Sequence, residues 1–556
     1  MDYVIYRAQT PKTAFIRMTS NPKLDFAYFS KSSPTVRFEV LTAGMDINKA
    51  YYIMSKINKN FGHFKRIVYR RHNSINYDIL SGLARGASLS VGAKWLRAPV
   101  SITKGFDIPD SYDEDKLYNI IKGRLVSYRS IDGFVKDNHI FLKHGISDIL
   151  QILYLKGKLL ILPEFIIDRY HKKIECIYCG EKQAQTSSPK KCSGCSRLLD
   201  FKEPVFASPY ILPSPSKLHI FKDAANLDSP QRYASLEMCE FIKGNKEECI
   251  MWMASDQEDI RIFLKSINHV LNNGGRVLIC VPCLNAAKSV ADTLSPYYSS
   301  HVFAKDDVLG FWKSDIDIAL FRVLGCFYSS YDLIILFEPP SCSLYTAGDL
   351  KKLAKRALKP CGKMIFASST LNYKLYKDRQ SGKVCFEVLP IRKDGMIFPE
   401  PRVLTYKRLS ESNVFMPDEV MDFIRWSNLK GRGLRIITPS ASASCSIGEM
   451  IKPLNMNNIK IETYPSTFYM NSRNENLIVF FADKREVFNE KALLNILMLP
   501  PEHRSLGNRF GSPYEVIFVG AHETEEMHNA RIMLRQFNKK AWEMGYIKEN
   551  DHGKNI

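Results

Sequence analysis

Four cysteines pose the first chemical question. In the segment CIYCGEKQAQTSSPKKCSGC, Cys176, Cys179, Cys192 and Cys195 form two C-x2-C pairs separated by twelve residues. Each pair can aim two sulfurs at one centre, and Gly180 and Gly194 permit the tight backbone that leaves amide N–H groups near the thiolates. Four thiolates close a tetrahedral site and leave no position for a reacting water, so the expected occupant is a structural Zn²⁺. The remaining nine of the 13 cysteines are scattered singly through apolar segments, as small core residues of a reducing compartment are.

A second stretch, CIMWMASDQEDIRIFLKSINHVLNNGGRVLICVP from Cys249, runs apolar strand, short loop, helix, strand. That is how a phosphate-binding loop is built, but this loop has no glycine and no lysine. A phosphate cradle needs glycines for backbone approach, a lysine for the β- and γ-phosphates and a hydroxyl for Mg²⁺. Asp256, Glu258 and Asp259 stand here instead, and three carboxylates would repel a triphosphate. No GxxxxGK[ST] occurs elsewhere in the chain, so no better loop is available.

A third stretch, HFKRIVYRRHN, interleaves Lys65, Arg66, Arg70 and Arg71 with Tyr69. Such a segment can track a nucleic-acid backbone with a base stacked on the tyrosine, or form an edge strand with a solvated face. Lys190, Lys191 and Arg197 surround the cysteines in the same way and leave the same two readings open. The whole chain carries a formal net charge of +20 with an isoelectric point of about 9.2. A protein this basic is expected to meet a polyanion, with nucleic acid the first candidate.

The elements that must position these groups follow from periodicity. At 556 residues, 45% of them hydrophobic, several domains are expected. VIYRA and AFIRMTS read as short strands, and DINKAYYIMSKINKNFG as an amphipathic helix with Ala50, Ile53, Met54 and Ile57 on one face and Gly62 as its stop. ISDILQILYLKGKLLILPEF reads as helical and apolar, and PYILPSPSKL as a linker. From about residue 219, short Ile/Leu/Val strands alternate with helices, which argues for parallel sheets covered on both faces. The expected organisation is a small α/β domain (1–72), a mixed connecting domain (73–168), a four-cysteine module (169–205) and two α/β domains in series (206–405 and 406–556). The opening residues lack an apolar core of signal-peptide length, and no apolar run approaches the roughly 18 residues that span a bilayer. A cytoplasmic protein without membrane insertion is expected.

The order of cysteine module, glutamine-containing entry, strand–loop–helix and second α/β domain resembles the late-competence DNA-uptake helicases of the ComFA type, superfamily 2 translocases that carry a four-cysteine zinc module before two RecA-like domains; the resemblance implies that 206–405 and 406–556 are RecA-like. On that resemblance Gln231 in DSPQRYASLEMCEFI stands at the glutamine used near the adenine of ATP. Asp259 and Ile260 stand at the phosphate lysine and the Mg²⁺ threonine. In YDLIILFEPPS, Phe337 replaces the Mg²⁺-anchoring aspartate while Glu338 keeps the place of the water-activating glutamate. FASST stands for the coupling motif, and SLGNRFGSP for the arginine-finger motif, with Arg509 as its first arginine and Ser512 in place of the second.

The opening domain resembles the GIY-YIG nucleases, with Val4-Ile5-Tyr6 and Phe15-Ile16-Arg17 at the two triplets. Ile53 and Met54 occupy the neighbourhood of the metal-binding glutamate, and Asp25 stands where an arginine is expected. The resemblances imply a DNA-binding protein with ATP, Mg²⁺ and nuclease chemistry largely removed. Its ligand would be single-stranded or junction DNA, and its partner an active helicase or nuclease subunit. Two alternatives stay open: a divergent, active DNA-dependent ATPase, and a scaffold that binds protein only.

Overall fold

The computed structural model describes residues 2–9, 14–32, 36–40, 42, 44–64, 108–168, 173–184, 192–193, 195, 203–210, 227–253, 257–304, 308–310, 314–338, 347–368, 382, 384–391, 398–411, 414–454, 458–464, 475–498 and 514–546. Among them no helix is long and apolar enough to cross a membrane.

The chain opens on strands β1 (Val4–Gln9) and β2 (Ala14–Thr19), helix α1 (Pro22–Ser32), strand β3 (Arg37–Val40) and helix α2 (Ile47–Phe64). The three strands form an antiparallel sheet in the order β2-β1-β3. Ala50, Ile53 and Met54 of α2 are buried, as the apolar stripe requires. The helix is not stopped at Gly62 but runs to Phe64.

A connecting unit follows: α3 (Ser111–Ile121), β4 (Arg124–Ser127), α4 (Tyr128–Asp137) and α5 (Ile146–Leu155). Asp110 caps α3 by accepting from the Asp113 amide at 2.9 Å. The apolar run after α5 is not helical. Gly157, at φ +72°, turns the chain, and strands β5 (Leu160–Pro163) and β6 (Phe165–Asp168) follow. A short apolar run carries no periodicity that separates strand from buried helix, and the glycine decides it.

Strand β6 then pairs antiparallel with β7 (Lys173–Cys176), and β7 with β8 (Lys182–Ala184). Strand β9 (Pro204–Ser208) returns from the cysteine segment and inserts between β4 and β5, antiparallel to both.

The first large sheet is built from α6 (Ser229–Lys243), β10 (Glu248–Met253), a 3-10 segment (Gln257–Phe263), α7 (Leu264–Asn272), β11 (Val277–Val281) and α8 (Leu284–Leu294). It continues through β12 (Ser300–Phe303), β13 (Ile316–Leu320), a second 3-10 segment (Phe321–Cys326) and β14 (Tyr331–Glu338). It ends with α9 (Ala347–Ala357), β15 (Leu358–Ser368) and β16 (Cys385–Leu389). Seven strands align in the order β12-β13-β11-β14-β15-β10-β16, and every pairing is parallel. Strands β10, β11 and β13 are buried along almost their whole length, which is why they read as continuous apolar runs.

The second large sheet comprises β17 (Arg402–Thr405), α10 (Asp418–Leu429), β18 (Gly433–Thr438), α11 (Ala441–Ile451) and β19 (Ile459–Thr463). Strand β20 (Glu475–Phe480), α12 (Glu490–Met498), β21 (Val516–Gly520) and α13 (Glu525–Glu543) complete it. Its five parallel strands run β17-β21-β20-β18-β19. The protein therefore holds two RecA-like parallel-sheet domains in series, preceded by a four-cysteine ribbon and a small N-terminal α/β domain.

The final helix α13 closes back on the first sheet. Phe537 stacks on Trp252 of β10 with ring centroids 4.1 Å apart, and Asn538 exchanges two 2.9 Å hydrogen bonds with the backbone of Phe398.

Candidate functional site

Strand β7 delivers Cys176 to a turn in which the Gly180 amide donates to the Cys176 carbonyl at 2.9 Å. Gly180 adopts φ +73°, which glycine accepts without strain. The turn carries Cys179 inward, and the second pair, Cys192 and Cys195, faces it. Cys179 and Cys192 sulfurs lie 3.4 Å apart and those of Cys176 and Cys195 3.8 Å apart. All four lie within 4.8 Å of one another, with three of the cysteines buried and Cys195 half-buried. A tetrahedron with Zn–S bonds of ~2.3 Å has sulfur–sulfur edges of ~3.8 Å, so the quartet could hold Zn²⁺. The neighbouring sulfurs and burial push the Cys179 thiol up, and the same neighbours push Cys192 down, so the four thiols titrate as one coupled set. Gln183 of β8 accepts from the Ser193 amide at 2.8 Å and its hydroxyl at 3.0 Å, fixing the second pair to the ribbon. Lys190, Lys191 and Arg197 lie outside the described residues, as do Lys65, Arg66, Tyr69, Arg70, Arg71 and Arg509.

The second candidate site is the carboxyl edge of the seven-stranded sheet, where open α/β sheets bind ligands. Strand β15 pairs with both β10 and β14, so the segments after all three strands leave the sheet together. Residues 254–256, which follow β10, and the side chains of Glu258 and Asp259 lie outside the described set. A 3-10 segment, not the N-terminus of an α-helix, follows that loop. Ile260 and Phe337, at the positions the resemblance gives to Mg²⁺ ligands, are both fully buried. Phe337 packs edge-on against Phe263 of the same 3-10 segment at 6.4 Å. Glu338 ends β14 opposite Ser368 at the end of β15; the glutamate's side chain lies outside the described residues.

Gln231 lies in the first turn of α6, buried, and accepts from the Asp228 amide at 3.2 Å. Asp228 and Gln231 form a capping box at the start of α6.

In the N-terminal domain the residues at the nuclease-like positions are covered by α5. Asn21 donates to Asp148 at 3.0 Å, Arg17 to the Leu155 carbonyl at 3.2 Å and Gln151 to Asp25 at 3.1 Å. Thr19 donates to the other Asp25 oxygen at 2.9 Å. Burial pushes the Asp25 carboxyl up to about 7; the Tyr6, Thr19 and Gln151 donors and the Arg17 charge offset only part of that. Ile53 and Met54 are buried apolar residues.

Sequence reasoning missed two residues that touch the cysteine ribbon, Arg356 and Gly325. A lone arginine among the lysines of LKKLAKRALK carries no signal that separates it from a solvated face. The role of Trp252 was missed equally, because it sits in an apolar strand where any large side chain fits.

No protein-family model and no curated protein matches the chain. Similar solved structures include RecG bound to a three-way DNA junction, at 13% identity over 60% of this chain and 48% of that one, with a TM-score of 0.35. Another is S. cerevisiae Dbp5 bound to RNA and ADP BeF3, at 10% identity over 58% of this chain and 96% of that one, with a TM-score of 0.34. The chain spans about half the length of the RecG structure, 48%. Strand order and connectivity define two RecA-like parallel-sheet domains in series.

Proposed function

We propose that this protein is a DNA-binding relative of the superfamily 2 helicases, of the ComFA type, that no longer hydrolyses ATP. It acts in DNA uptake or processing beside an active helicase or nuclease subunit. The supporting observation is the apolar contact at the sheet edge: Phe337 and Ile260 are buried where Mg²⁺ ligands would stand, and Phe337 rests on Phe263. Nucleotide hydrolysis depends on positioning and charge neutralisation, and hydrocarbon supplies neither. A buried nuclease-like face under α5 points the same way for phosphodiester cleavage. The net charge of +20 supports a polyanionic ligand, single-stranded or junction DNA. The cysteine quartet holds a structural Zn²⁺ that keeps the ribbon folded; no step of chemistry passes through it.

The test is ATP hydrolysis by zinc-loaded protein with and without single-stranded DNA, beside a Glu338→Gln variant. Anisotropy of labelled DNA is followed from 50 to 200 mM salt. The expected result is no turnover above background, with DNA affinity that falls steeply as salt rises. DNA-stimulated turnover abolished by Glu338→Gln would overturn the proposal. Loss of both turnover and DNA binding would leave a protein-binding scaffold.

A further inference from the structure

The cysteine ribbon is not a free module. Arg356, near the C-terminus of α9, sends its guanidinium out of the first RecA-like domain into the Cys176–Cys179 turn. Its Nη1 donates to the Ile177 carbonyl. Its Nη2 donates to the Tyr178 carbonyl at 3.0 Å and to the Gly325 carbonyl at 2.7 Å. Ile177 and Tyr178 are the two residues between the paired cysteines. Gly325, in the 3-10 segment before β14, lies so close that a Cβ there would overlap the Tyr178 carbonyl oxygen. The arginine's own carbonyl accepts from the Ser329 amide at 2.8 Å, fixing the C-terminal turn of α9 to the start of β14. Burial lowers the Arg356 pKa, while the sulfurs of Cys326, Cys176 and Cys179 oppose that change.

We infer that Arg356 is the outer-sphere counter-cation of the four-cysteine site, and that through it metal occupancy governs the order of α9. This rests on the reading that the quartet holds Zn²⁺. Four thiolates around one Zn²⁺ leave two net negative charges, and a buried guanidinium beside them neutralises part of that charge. The same guanidinium orients the turn by holding both of its carbonyls, the task that outer-sphere partners perform at metal sites. Without metal the turn loses its fixed geometry, and Arg356 loses two of the three carbonyls it donates to. Helix α9 joins β14, which ends at Glu338, to β15, which ends at Ser368. The ribbon thus reaches, through one side chain, the element between two strands of the candidate nucleotide edge.

Two measurements test this on the full-length protein. The first is the rate of zinc release to a chromogenic chelator for the wild type, Arg356→Gln, Gly325→Ala and Lys355→Gln. Lys355 is the control: it lies on the same helix but pairs with Glu248 at 2.6 Å. Outer-sphere loss typically weakens metal sites ~10–100-fold. Release is therefore expected to be at least about tenfold faster for Arg356→Gln and Gly325→Ala and unchanged for Lys355→Gln. The second is hydrogen exchange of residues 347–357 in the wild type before and after zinc is stripped, which does not depend on any variant folding. Faster exchange after stripping is expected. Zinc that binds and leaves without altering exchange in 347–357 would overturn the inference. So would an Arg356→Gln protein that holds zinc as tightly as the wild type. Purified protein that neither contains nor takes up zinc would overturn the metal reading itself, a result distinguishable from both.

Discussion

Replacing Asp25 with asparagine should flatten the pH dependence of the N-terminal domain. Asp25 lies between β1, β2 and α5, facing Tyr6, Arg17, Thr19, Gln151 and Tyr154, and its carboxyl is pushed from 3.8 to about 7. The folded pKa lies above the unfolded one, so the stability tied to the protonated acid is complete below about 3.8 and lost as pH rises through 7. Between pH 5 and pH 7 the change is roughly 2 kcal/mol, or about 50-fold in the local opening constant. Asparagine mimics the protonated acid. Its carbonyl still accepts from Thr19, and its amide can donate to the Gln151 carbonyl once that side chain flips, an oxygen with no partner at present. The assay is hydrogen exchange of peptides within residues 14–32 from pH 5 to 8, corrected for intrinsic rates. Wild-type protection should fall by that factor while Asp25→Asn stays nearly level. A wild-type profile that is already flat, or a variant with the same slope, would refute the burial argument.

Gln231→Ala should cost about 1 kcal/mol through the lost capping box, seen as faster exchange at the start of α6. Any nucleotide affinity measurable in the wild type should be unchanged. Trp252→Ala removes the ring on which Phe537 stacks and should destabilise by ~3–5 kcal/mol. Residues 525–543 should lose protection before the five-stranded sheet does.

Some of this architecture was legible in the chain and some was not, for physical reasons. Strands such as YDLIILFE are buried on both faces, so their composition alone announces a parallel sheet. The cysteine quartet is legible because metal geometry imposes spacing on the sequence. LLILPEF reads as helical in the sequence but forms strands after Gly157 turns the chain, since four or five apolar residues fit a helix or a strand equally well. Helix α1 escaped notice because Pro22 at its start follows directly on β2, so turn and cap share a few residues. The contacts of Asp25 and Arg356 span 126 and 179 residues respectively, and no local pattern records a partner that far away.

Strand β9 has a consequence for biosynthesis. It lies between β4 and β5 although it is made after both, and the whole ribbon separates it from β5. On the ribosome β4 and β5 must wait, unpaired with each other, until residue 208 emerges. A metal ion captured during that interval would shorten the chain segment that β9 has to close and lower the entropy cost of its insertion. Zinc supply during synthesis would then set the yield of folded protein, before the finished molecule meets any ligand.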